Sequence, residues 1–211
     1  MKKKYKIILL VVIILGGSTF IYLLYLRGFF FSSWGRYDES KLEMEAPWEK
    51  AEDIHSWNEG YSESDDCPWG FEHRGLDFFF NDSDKVLAIA PGYIESIELV
   101  DFGGDENRYH IKVNIRFSRE FLLVYGFEPW TTSKSDAEKQ LDELKIKEGD
   151  WVKTGGVIAN FVGYTDSAHI HFDLYLNGEQ TCPKNYFSDE AYDEIMSLIH
   201  KYHDDWEMCY D

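Results

Sequence analysis

From Ile7 to Leu26 the chain runs for twenty residues without a charge, IILLVVIILGGSTFIYLLYL; at 1.5 Å per helical residue this matches a hydrocarbon layer of about 30 Å. The run predicts a membrane-spanning helix. Lys2, Lys3, Lys4 and Lys6 precede it and only Arg27 follows closely, which keeps the N-terminus in the cytoplasm and sends the rest outside. Gly16, Gly17 and Ser18 leave a cleaved secretory signal as the alternative, but the apolar run resumes through Leu26, longer than a usual signal core. The expectation is a single-pass protein of the cell membrane. Residues 1–27 form its cytoplasmic stub and anchor, with contact to the membrane through residues 7–26 and an extracytoplasmic C-terminal part.

Residues 28–65 are aromatic at first (Phe29, Phe30, Phe31, Trp34), then acidic and weakly periodic. They read as a juxtamembrane connector, partly packed on the domain C-terminal to it. From Cys67 the pattern changes to short β-branched and aromatic stretches cut by glycine, among them GLDFFF, RYHIKVNIRF, EFLLVYGF and HIHFDLYLNG. Short strands with glycine turns predict a mainly β, antiparallel domain over residues 66–187. SDAEKQLDEL (Ser135 to Leu144) interrupts it with a capping serine, Glu138 three residues on, and Leu141 and Leu144 at helical spacing, the signature of an inserted surface helix. Beyond Ser188, the i, i+3, i+4 spacing of Ala191, Ile195, Leu198, Ile199 and Tyr202 predicts an amphipathic helix over residues 188–211, packed on the sheet.

Composition narrows the functions open to such a chain. Apolar residues are 44% and aromatics 17% of the 211 residues, which excludes disorder over most of the length. The net charge of −18 argues against nucleic-acid binding, which rests on basic residues displacing counterions. Because Lys2, Lys3, Lys4, Lys6 and Arg27 are the only charges in positions 1–27, the remainder is more acidic still. Cys67, Cys182 and Cys209 follow no CxxC spacing, so at most one intramolecular disulfide forms and a cysteine-ligated zinc finger is excluded.

Two short patterns carry candidate chemistry. In His73-Arg-Gly-Leu-Asp77, Gly75 argues against a helix, and the separation of four in an extended turn-to-strand segment aims both side chains to one side. In His169-Ile-His171, alternation along a strand puts both imidazoles on one face, with Ile170 and Phe172 on the other. Two histidines and a carboxylate form an N/O donor set suited to tetrahedral zinc with one position left to water.

Together with two further blocks, these patterns resemble the lysostaphin-type zinc metallopeptidases, the M23 family, over about Trp69 to Leu176. HRGLD is similar to that family's HxGxD block, Val86-Leu-Ala88-Ile-Ala-Pro-Gly92 to its Val-x-Ala-x-x-x-Gly turn, Gly149 to Gly155 to its Gly-Asp-x-Val-x-x-Gly hairpin, and HIHF to its final HxH-Phe block. The resemblance implies a β-roll core of the M23 type, Zn2+ held by His73, Asp77 and His171, and His169 as the catalytic histidine. It implies an endopeptidase that hydrolyses peptide cross-links of peptidoglycan in the cell wall by metal-activated water. A shared metal would also bring Cys67 and Cys182 within bridging range and leave Cys209 unpaired.

The family's active members carry one more histidine in a Tyr-x-His-Leu block, and this chain has Phe127 at that place, in Val124-Tyr125-Gly126-Phe127-Glu128. Phenylalanine moves no proton, so activity turns on a substitute. Glu128 is an auxiliary candidate if the strand bulges, since alternation otherwise turns it away. His110 is a second, read as an exposed strand residue. The alternative function is a catalytically impaired module that binds wall peptides or regulates partner hydrolases. An iron facial triad is a third reading of the same donors. Arg74 is either solvated or a receptor for a substrate carboxylate, and His55, His200 and His203 read as surface residues.

Overall fold

A computed structural model describes residues 13–23 and 42–211. Residues 13–23 are helical and exposed; among the described residues no helix is long and apolar enough to cross a membrane. The rest of the 7–26 run, the cytoplasmic stub and positions 28–41 lie outside the described residues.

The domain is mainly β. Strands β1 (Ile54–Ser56), β3 (Leu76–Phe80), β5 (Gly92–Asp101), β6 (Tyr109–Arg116), β7 (Phe121–Glu128), β8 (Trp151–Val152) and β10 (His169–Leu176) form one sheet in the order β1-β3-β10-β7-β6-β5-β8, with β11 (Glu179–Gln180) paired to β10. Every pair in it is antiparallel. Two small sheets flank it. β4 (Lys85–Leu87) pairs with β9 (Val157–Asn160), and β2 (Tyr61–Ser62) pairs in parallel with β12 (Cys209–Tyr210).

Alternation gives the main sheet its two faces. Ile111, Val113 and Ile115 of β6, Leu123, Tyr125 and Phe127 of β7, and Ile170, Phe172 and Leu174 of β10 are all buried on one side. His110, Lys112 and Asn114, then Gly126 and Glu128, then His169, His171 and Asp173 therefore share the other. A one-residue slip of β10 would exchange the two sets. Exposing Ile170, Phe172 and Leu174 would cost roughly 1.5–3 kcal/mol each, so the register that builds the polar face is fixed by the apolar one.

Residues 42–61 add Met44, Trp48, Ile54, Trp57 and Tyr61 to the same core. The C-terminal helix, Asp189–Tyr202, adds Ala191, Ile195, Leu198 and Ile199 to that core, and Ser188 caps it by accepting from the Ala191 amide. The inserted helix runs Lys134–Asp142 and starts two residues earlier than the sequence signals suggest. Ser133, not Ser135, is its N-cap; the Ser133 side chain makes no capping bond and meets the Ser135 hydroxyl at 3.0 Å.

The cysteine pairing differs from the expectation. Cys182 and Cys209 form the disulfide, and Cys67 is unpaired. The reason is β12: its pairing with β2 carries Cys209 back across the domain to the segment after β11, while the Cys67 thiol turns to the carbonyl of Phe71 at 3.3 Å.

Candidate metal centre

The polar face of β3, β10, β7 and β6 floors a cleft of about 640 Å³, and His73, Asp77 and His171 meet in it. Their nearest donor atoms all lie within 4.8 Å of one another. His73 Nε2 is 3.1 Å from His171 Nδ1 and 3.3 Å from Asp77 Oδ2, and His171 Nδ1 is 2.8 Å from Asp77 Oδ1. Metal bonds of 2.0–2.1 Å at tetrahedral angles set ligand atoms about 3.4 Å apart. The three donors are thus spaced closely enough to hold one ion.

Each histidine is oriented by a partner on its other nitrogen. His73 Nδ1 donates to the Gly60 carbonyl at 2.7 Å, which leaves Nε2 facing the cluster. His171 Nε2 donates to Asp173 Oδ1 at 3.2 Å, and Asp173 also accepts from Gln180 Nε2 at 2.6 Å. Such outer partners fix the ring and raise ligand basicity. Gly75 makes room for the arrangement. A Cβ there would collide with His171 Nε2 and lie 2.5 Å from its Cε1, so the glycine is needed for close approach as well as for the turn.

The electrostatics are strongly coupled. Burial opposes the charge on Asp77, but His169, His171 and His73 outweigh it and hold its carboxyl well below the usual range. Burial likewise opposes a charged His171, but Asp77 and Asp173 outweigh it and raise its pKa well above the ordinary value. Glu59 is pushed up, first by burial and then by Asp77.

His169 stands beside the cluster. Its Nδ1 donates to the Ser167 carbonyl at 2.8 Å, and its Nε2 is 3.6 Å from Asp77 Oδ2 and 3.5 Å from Glu128 Oε2. Here the structure corrects the sequence reading. Phe127 pairs with Ile170 and Ile111 and is fully buried in the core, while Glu128 pairs with His169 on the polar face without a bulge. The parity of β7 against β10 turns the carboxylate toward the site. His110 is corrected as well: its Nδ1 is 3.3 Å from Glu128 Oε1, and both side chains are largely buried. Asn107 Nδ2 donates to Glu128 Oε2 at 2.6 Å. Burial raises the pKa of Glu128, yet His110 and His169 outweigh it and leave the carboxyl below its usual value.

The remaining sequence candidates lie elsewhere. Arg74 pairs with Glu72, and His55, His200 and His203 face the backbone carbonyls of Asp166, Trp206 and Trp57. The sequence reading missed Asp173, although its place two residues after His171 on one strand signalled it. Gly60, Asn107, Glu59 and Gln180 had no local signal, because only tertiary pairing brings them in.

No family model matches the chain. Among curated proteins it is 28% identical to an uncharacterized metalloprotease of Haemophilus influenzae over 113 residues, 53% of this chain and 20% of that protein. It is 28% identical over 110 residues to lysostaphin of Staphylococcus simulans, covering 51% and 19%, and to the glycyl-glycine endopeptidase ALE-1 of Staphylococcus capitis, covering 51% and 26%. The match thus spans a fifth to a quarter of each relative. Among solved structures, a chain of the SpoIIQ-SpoIIIAH pore forming complex superposes with a TM-score of 0.49 at 18% identity, covering 74% of this chain and 97% of that one. The chain resembles M23 metallopeptidases, and it carries a His/Asp/His group able to hold a metal.

Proposed function

We propose that this chain is a zinc metalloendopeptidase of the M23 type that cuts peptide cross-links of the cell wall outside the cytoplasm. The observation that carries the reading is the convergence of His73 Nε2, Asp77 and His171 Nδ1 on one point beside His169. The relatives support a metallopeptidase, and ALE-1, a glycyl-glycine endopeptidase, makes a glycyl-glycine bond the first substrate to test. The charge pattern of residues 1–27 supports anchoring through residues 7–26 as part of the same proposal.

In this reading His73, Asp77 and His171 hold the ion. Bound zinc would lower the pKa of a coordinated water toward about 7 and polarise the scissile carbonyl. His169 Nε2, 3.6 Å from Asp77 Oδ2, takes the proton of the attacking water and passes it to the leaving amine. Glu128 serves as the auxiliary group. Held by His110 at one oxygen and Asn107 at the other, it keeps a negative charge 3.5 Å from His169 Nε2, beside the proton that His169 receives. The alternative, a catalytically impaired module, rests on Phe127 standing where the family has a histidine; the Glu128 carboxylate on the site face supports the peptidase reading over it.

The full chain, purified and loaded, should hold one zinc per molecule and cleave both a peptide containing a glycyl-glycine bond and isolated wall material. Stoichiometric zinc without cleavage of either refutes the enzymatic reading.

A further inference from the structure

The row of the sheet that carries His171 continues across two strands to a lysine. Gly126 of β7 is the cross-strand partner of His171, and Lys112 of β6 is the partner of Gly126. All three line the cleft, in which Lys112 is the only lysine or arginine among the described residues. Gly126 puts no side chain of its own between them, and the atoms bordering its open position are those of His171 and the Glu128 carboxylate that His110 holds. At about 4.8 Å per strand the separation is roughly 10 Å, the length of about three residues of extended peptide.

The ammonium of Lys112 is not used by the protein's own carboxylates. Among the described residues it makes no ion pair, and its contact is with the face of Phe102, 5.2 Å from the ring centroid. Glu98, its partner on β5, instead accepts from Ser96 Oγ at 2.9 Å. Asp77, Asp173 and Glu128 are engaged by the histidines. Phe102 is itself 54% exposed and rests on the His110 ring at 4.5 Å, forming an apolar wall beside the charge. A partly buried cation against an exposed ring, one glycine row away from the metal cluster, is a receptor for an anion attached to an extended chain.

We propose that Lys112, with Phe102 as its wall, is a specificity subsite that binds a carboxylate of the peptide substrate two to three residues from the scissile bond. This rests on the peptidase reading and adds to it the charge of the substrate. On a protein of net charge −18, long-range repulsion is screened beyond about 8 Å, and a local ammonium decides whether an anionic group is accepted.

The test uses the full zinc-loaded chain and two peptides that differ only in a carboxylate or a carboxamide three residues from a glycyl-glycine bond. The carboxylate peptide should have a KM about tenfold lower, the size of one charge-assisted hydrogen bond. Lys112→Met should bring the ratio near one, and Lys112→Arg should keep most of it. A wild-type ratio near one, or a ratio that Lys112→Met leaves intact, overturns the subsite while leaving the peptidase reading in place. If neither peptide nor wall material is cleaved, the peptidase reading fails. Calorimetric binding of the two peptides then judges the subsite, and equal affinities overturn it.

Discussion

Replacing Gly75 with alanine tests the geometry of the centre with a single methyl group. The new Cβ would lie 2.5 Å from His171 Cε1 and 3.0 Å from the Phe172 carbonyl oxygen. Carbon contacts relax at about 3.5–4.0 Å, so the ring has to retreat by roughly 1 Å. The backbone cannot take up the shift cheaply, because β10 is paired on both sides, with β3 and β7. Ligand distances tolerate about 0.2 Å, and disturbing even an outer partner of a ligand weakens metal binding about 10–100-fold. Displacing the ligand itself should weaken zinc by about 100-fold or more. The fold should lose about 1–3 kcal/mol from overpacking, a fall in Tm of several degrees for a domain of this size. Competition against a chromophoric chelator measures the first, and a thermal melt in chelator the second. A folded Gly75→Ala protein whose zinc affinity stays within about threefold of the parent would refute the argument.

Three further outcomes are expected. Glu128→Gln should lower kcat about 100-fold with zinc content unchanged; an unaltered kcat would show that the carboxylate does not serve His169. In metal-free protein, the raised pKa of His171 stabilises the fold in full below about 6.5, and this is lost as pH rises through the raised value, whereas the lowered pKa of Asp77 stabilises above about 4 and is lost on acidification. Chemical denaturation across pH should therefore show greatest stability between those limits, and zinc affinity should climb with pH while protons are released, read by calorimetry in buffers of different ionisation enthalpy. Changing Cys182 and Cys209 to serine opens a loop of 27 residues and should cost about 3.5 kcal/mol. It should also weaken zinc binding through β2, and an unchanged affinity would uncouple the two.

What the sequence disclosed was set by reach. Alternation within one strand was enough to pair His169 with His171 and to predict which neighbours are core, and the same rule applied one step further would have found Asp173. It could not settle Phe127 and Glu128, because which of two adjacent residues faces a site depends on the register of β7 against β10, a relation between segments about forty residues apart. The role of His110 is hidden from local sequence for the same reason, since its partner Glu128 is on the next strand. Local sequence marks Gly75 only as a turn residue, yet its tightest neighbour is His171, nearly a hundred positions away. Cysteine spacing relative to the ligands was a poor guide, because the parallel pairing of β12 with β2 leaves no periodic trace.

That pairing also orders events in time. Cys209 and Tyr210 brace Tyr61 and Ser62, Ser62 is bridged to His73, and Gly60 just before them orients the His73 ring. A growing chain therefore possesses all three ligands some forty residues before it possesses the brace that steadies one of them. In the proposed metallopeptidase, the His73 side of the centre would therefore reach full strength only once residues 209 and 210 are made and the Cys182–Cys209 bond has closed.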